Sequence, residues 1–106
     1  MAAIKWWNPE RERVSIRTQG MQISPPVACA MDERGWKRVL VGFDPERRTV
    51  GIKEAQSGAG LKIGPSGSGK RITSKKMIRW LLEQGVSEGV YPATWEDGMI
   101  IVDIDG

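Results

Sequence analysis

The string in this chain that comes nearest to a chemical motif is Gly64-Pro65-Ser66-Gly67-Ser68-Gly69-Lys70-Arg71. It follows the phosphate-binding loop G-x-x-x-x-G-K-[ST] up to the last position. In that loop glycines let backbone N–H groups cradle phosphates, the Lys reaches the outer phosphates, and the Ser or Thr hydroxyl holds Mg²⁺. Here Arg71 stands where the hydroxyl belongs, and a guanidinium cannot ligate a cation. Nor does a helix open at Lys70: Ile72 and Thr73 read as extended, and Ser74 is the better N-cap. Nucleotide-binding α/β folds also need repeated βαβ units, which 106 residues with two short helices do not supply. The plainer reading of the string is a flexible tip of glycine, serine and proline joining residues 61–63 to residues 70–73.

Little else in the chain has the makings of catalysis. There is no histidine, which removes the commonest general base and metal ligand. The single cysteine, Cys29, excludes an intramolecular disulfide and fits a reducing compartment. It lies in the small-residue run Val27-Ala28-Cys29-Ala30-Met31 and reads as a buried structural thiol. Asp103 and Asp105 close the chain without a partner that would make an acid–base pair. The expectation is a protein that is not an enzyme and needs no cofactor and no metal, with a nucleotide-binding loop at Gly64–Lys70 as a remote alternative.

What remains is charge. The net charge is +3, and its distribution is polarised. Between residues 55 and 82 stand Lys62, Lys70, Arg71, Lys75, Lys76 and Arg79 without one carboxylate; from Glu83 onward stand Glu83, Glu88, Glu96, Asp97, Asp103 and Asp105 without one cation. Such blocks steer a polyanion to one side of a molecule, dock copies head to tail, or neutralise each other across one sheet. Phosphate attraction needs Lys and Arg on one surface, and single-strand binders add aromatic rings on which bases stack. Trp80 falls outside the apolar stripe of its helix, next to Lys76 and Arg79. The leading expectation is therefore a nucleic-acid-binding protein, single strands preferred, using Lys70, Arg71, Lys75, Lys76, Arg79 and Trp80 around the start of the second helix. Arg13 and Arg17 extend the track if their sheet face is open. The alternative is an interaction module, a homo-oligomer mating through its charge blocks, with Trp6, Trp7 and Trp80 as interface anchors.

These residues need elements to hold them. Val14 and Ile16 alternate with Arg11, Arg13, Ser15 and Arg17, the mark of a half-buried strand. A turn at Gln19-Gly20 leads to a short strand over 21–23. Ser24-Pro25-Pro26 starts a helix, with a capping Ser and Pro at the first position, that runs to about Glu33 and ends at Gly35. Val39, Val41 and Phe43 alternate in a strand, Asp44-Pro45-Glu46-Arg47 turns, and Val50 and Ile52 return. Residues 56–60 read as a loop. The second helix carries Met77, Ile78, Leu81 and Leu82 at helical spacing, with Gly85 at its end. Asp97-Gly98 between two apolar runs signals a tight hairpin. Met99-Ile100-Ile101-Val102 is apolar at every position and reads as a central strand.

Laid side by side, the two halves repeat an order of strand, strand, helix, strand, strand at a separation of about 49 residues. From Lys37, the chain runs four strands and then a helix. That order is similar to the ββββα unit of the Whirly and PUR-type single-stranded nucleic-acid binders and of related transcriptional coactivators. The final hairpin, through Trp95-Glu96-Asp97-Gly98, resembles that of the swapped-hairpin DNA-binding regulators. Both resemblances rest on element order, carry no residue across, and imply a nucleic-acid partner. The expected architecture is α+β: a mainly antiparallel sheet with two short helices and a pseudo-duplicated ββαββ order. A loosely ordered arm over 1–10 precedes one domain over 11–106. With no stretch long enough to span a bilayer and no signal-peptide pattern, the expected location is the cytoplasm.

Overall fold

Side-chain alternation lays down the sheet. The computed structural model describes residues 12–56 and 58–105. In β1 (Arg13–Arg17), Val14 and Ile16 are fully buried while Arg17 is exposed. There follow β2 (Gly20–Ile23), α1 (Pro25–Glu33), β3 (Arg38–Asp44), β4 (Thr49–Glu54), β5 (Leu61–Lys62), β6 (Gly64–Ser66), β7 (Gly69–Thr73), α2 (Lys75–Glu83), β8 (Gly89–Glu96) and β9 (Met99–Asp103). The strands form one sheet in the order β5-β3-β4-β9-β8-β1-β2-β7-β6, with every neighbouring pair antiparallel. The two edge strands, β5 and β6, are successive in the chain and separated by Ile63 alone. Residues 61–66 thus pair with β3 at one end and with β7 at the other, and the sheet comes back on itself as a nearly closed barrel. The Ile63 N–H reinforces the closure by donating to the Lys37 carbonyl at 3.3 Å. Closure leaves almost no free edge to recruit another strand.

Inward residues from both ends of the sheet order, Val39, Ile52, Ile100, Val14, Met21 and Ile72 among them, meet Val27, Ala28 and Met31 of α1 and Ile78 and Leu81 of α2 in one core. No buried side-chain nitrogen or oxygen among the described residues lacks a partner. Trp36, buried just after α1, meets Trp95 of β8 edge to face with centroids 5.2 Å apart. The Arg34 guanidinium lies 4.2 Å over the Trp95 ring.

The duplication expected from element order extends to register. Helix α1 and α2 are each nine residues long, and their ends match fifty positions apart. The closing bonds match too: Trp36 N–H to Met31 C=O and Val86 N–H to Leu81 C=O, Gly35 N–H to Asp32 C=O and Gly85 N–H to Leu82 C=O. The hairpin β1–β2 closes with the pair Arg17–Gly20 around Thr18-Gln19, and β6–β7 closes with Ser66–Gly69 around Gly67-Ser68. Each closing glycine is required by close approach. A Cβ on Gly20 would stand 2.1 Å from the Ile72 carbonyl oxygen, and one on Gly69 would stand 2.3 Å from that of Ile23. The local two-fold passes between β2 and β7 and again between β4 and β9, the two ladders in which a strand pairs with its own counterpart.

Four details differ from the sequence reading. The glycine–serine string is a β-hairpin in which only Gly67 and Ser68 lie outside strands, because residues 61–66 are held on both sides. Cys29 is exposed: α1 buries Val27, Ala28 and Met31, and the thiol points the other way, its Sγ donating to Glu33 Oε1 at 3.9 Å. Leu82 is 41% exposed, so the buried stripe of α2 narrows to Ile78 and Leu81. Met99-Ile100-Ile101-Val102 is flanked by strands on both sides, but only Ile100 and Val102 enter the core. The arm over 1–10, Trp6, Trp7 and Arg11 lie outside the described residues. No helix of the described chain is long and apolar enough to cross a membrane.

Candidate nucleic-acid interface

The expected site residues divide among three places. Lys70 turns inward on β7, opposite Ile23, and its Nζ lies 2.8 Å from Asp32 Oδ1 on α1. Its side chain is 21% exposed, and that of Asp32 is 67% exposed. A pair so open to water contributes about 0.2–1 kcal/mol, yet it points the amine at a carboxylate of its own chain.

Lys75, Lys76 and Arg79 are exposed on α2, and Trp80 is 40% exposed beside them. Lys76 and Trp80 stand one turn apart on the same flank. Ser74 caps this helix by accepting from the Met77 N–H at 3.1 Å. Two lysines in its first turn run against the helix dipole, at a cost of a few tenths of a kcal/mol each.

Arg13, Arg17 and Arg71 occupy the outer face of β1, β2 and β7. Alternation sends Val14, Ile16, Met21, Ile23 and Ile72 inward and so turns Arg13, Ser15, Arg17, Gln22, Arg71 and Thr73 outward. Gln22 stands opposite Ser15 on one side and Arg71 on the other. Two shallow recesses adjoin there. The first, about 320 Å³, is lined by Arg17, Gln19, Gly20, Gln22, Arg71 and Thr73, with Met21 and Ile72 at its base. The second, about 340 Å³, lies between the β6–β7 hairpin tip and the start of α1. Arg13, Ser15, Gln22, Ser24, Ser66 and Ser68 supply its polar groups. Neither lining contains a carboxylate. Ser24 ties the second recess to the sheet: its Oγ accepts from the Arg13 N–H at 2.9 Å rather than capping α1.

The ion pairs of the described residues are Arg47–Glu96, Arg48–Asp105 and Lys70–Asp32. Glu96 and Asp105 of the C-terminal acidic block therefore meet the arginines of the β3–β4 turn rather than the basic block. Arg13, Arg17, Arg71, Lys75, Lys76 and Arg79 form no ion pair among the described residues. No group of three or more metal-binding side chains occurs among them either. Gln22, Ser15, Ser66 and Thr73 were not singled out by the sequence. The alternation around Ile16 and Met21 gives their facing, but only the β1–β2–β7 register shows that they meet.

The chain matches no protein-family model, and comparison with curated proteins and with solved structures brought no match.

Proposed function

We propose that the protein binds a nucleic-acid strand across the outer face of β1, β2 and β7. The observation that carries this reading is the gathering of Arg13, Arg17 and Arg71 around two adjoining recesses without a carboxylate in either lining. Guanidinium groups present flat, permanently charged forks that suit phosphate oxygens. Gln22, Ser15 and Thr73 add hydrogen-bonding groups between them, as strand recognition requires. Lys75, Lys76 and Arg79 extend the positive field, and the part-exposed Trp80 ring offers a stacking surface, which favours single strands over duplex.

A labelled single-stranded oligonucleotide titrated at several salt concentrations tests this. Each phosphate neutralised contributes about 0.7 to the slope of log K against log salt for a single strand. Replacing Arg13, Arg17 and Arg71 together by Gln should reduce that slope by about 2. No binding by the wild-type protein at low salt ends the reading.

Self-association is kept as a second reading because of the opposite face. There Gly42 pairs directly with Gly51, and a Cβ on either would meet nothing within 4 Å. Strand glycines that the chain's own packing does not need suit the close approach of another backbone. On the outer side of the same strands, Leu40 of β3 is 43% exposed. A mass that rises with concentration, lost on Leu40→Lys, supports it; a monomer at all concentrations excludes it. The nucleotide-binding loop loses its footing. The string is a tight hairpin followed by a strand, and α2 opens only at Lys75.

A further inference from the structure

The two recesses are images of each other under the internal two-fold. Arg17, Gln19 and Gly20 of the first correspond to Ser66, Ser68 and Gly69 of the second, each 49 positions on, and both recesses follow from a two-residue hairpin leaning on the neighbouring strand. The residue common to both linings is Gln22, alone among the polar side chains. By the same offset its counterpart is Arg71, and the two are direct partners across the β2–β7 ladder. The half-barrels thus present an amide and a guanidinium to each other at the symmetry axis. The chemistry has diverged around that point: the first recess carries two arginines, the second one arginine and serine hydroxyls.

Resting on the proposed strand binding, we infer that Gln22 is the base-reading residue of this surface. Cations flank it on both sides, Arg17 and Arg71 in one recess and Arg13 in the other. A strand held by its phosphates at both places passes its bases over the amide. Phosphate contacts fix register and carry no sequence information, whereas contacts to base edges do. A primary amide offers two donors and one acceptor oxygen, the pattern that pairs in bidentate fashion with the N6 and N7 edge of adenine. The Gln22 side chain is exposed and makes no hydrogen bond among those of the described residues. No group of the described residues holds its amide, and replacing it leaves the core untouched.

The test measures affinities for four single strands of equal length. Each is thymine-rich and carries adenine, cytosine, guanine or thymine at its centre. The wild-type protein should favour the adenine strand by roughly tenfold. Gln22→Ala should erase that preference while keeping the salt slope; Arg17→Gln with Arg71→Gln should weaken all four strands alike and lower the slope by roughly 1.4. Equal wild-type affinity for the four strands overturns the assignment of Gln22 and leaves strand binding in place. So does a preference that survives Gln22→Ala. Failure of every strand to bind overturns the strand-binding reading itself. Circular dichroism of each variant confirms that the fold is retained.

Discussion

At the scale of single residues, this chain separates glycines that the fold needs from glycines that it does not. Gly20 and Gly69 sit where a Cβ would press on a neighbouring backbone oxygen at 2.1 and 2.3 Å. Backbone cannot swing away as a flexible side-chain tip can, so the strand must shift and the ladder beside it with it. Gly20→Ala and Gly69→Ala should each lower stability by about 1–3 kcal/mol. Gly51 sits in the centre of β4 with open space where its Cβ would go. Gly51→Ala should raise stability by about 0.5–1 kcal/mol. Urea midpoints at constant m-value measure all three, and a stabilised Gly69→Ala would show that the hairpin tip is not pressed against β2. The two kinds are indistinguishable in the sequence, where the closing glycine of the hairpin hides inside Gly64-Pro65-Ser66-Gly67-Ser68-Gly69. Composition makes that string a loop; Gly69 is a strand residue through its pairing with Ser66, and it is the carbonyl of Ile23, distant in the chain, that leaves no room there for a Cβ.

At the scale of elements, the two helices begin on equivalent serines that do different jobs. The Ser74 hydroxyl holds the Met77 N–H of its own helix, so Ser74→Ala should cost about 1 kcal/mol. The Ser24 hydroxyl holds the Arg13 N–H of β1, and Pro25 and Pro26 leave the first positions of α1 without N–H groups to cap. Ser24→Ala therefore leaves a strand N–H without its partner, at about 1–3 kcal/mol. It should also raise hydrogen exchange at Arg13 more than anywhere in α1. Exchange that rises within α1 instead would make Ser24 an ordinary cap. Both helix starts, the alternation of β1, β3 and β4, and the Asp97-Gly98 turn, where both residues have positive φ, were legible because local spacing and turn chemistry decide them. Three things were not. The burial of small residues carries no periodic signal, and Cys29 shares its run with alanines. Lys70 reads as one more cation of a basic block until β2–β7 pairing turns it toward Asp32. Closure of the barrel through Ile63 depends on partners more than twenty residues away, Arg38 and Val39 for β5. Consequently the sequence pointed to a cluster around the start of α2, with Arg13 and Arg17 as its extension, and could not show that Arg13, Arg17 and Arg71 share one sheet face.

At the scale of the whole molecule, the question is whether two similar halves behave as two units. The pairing says otherwise. Each repeat has two ladders of its own and shares three with the other: β2 runs beside β7, β4 beside β9, and β1 beside β8. The helices are exchanged as well, α1 packing on β7 and α2 on β2. If the first half opened alone, Ile72, Ile100 and Val102 would lose their covering partners Met21, Ile52 and Val50 at once. Each such side chain gives up about 1.5–3 kcal/mol when it returns to water, comparable in sum to the 5–15 kcal/mol that holds an ordinary domain together. A half-unfolded species is thus disfavoured by much of what global unfolding loses, with only about half of the chain entropy recovered. Urea unfolding should follow one transition, with tryptophan fluorescence, which samples the Trp36–Trp95 contact, and far-ultraviolet circular dichroism coinciding. Destabilising changes placed in different halves, Gly20→Ala and Gly69→Ala, should move the same midpoint without splitting it. A plateau between two transitions, displaced at one end by the first variant and at the other by the second, would mean that the ladders between the halves are weaker than their register implies.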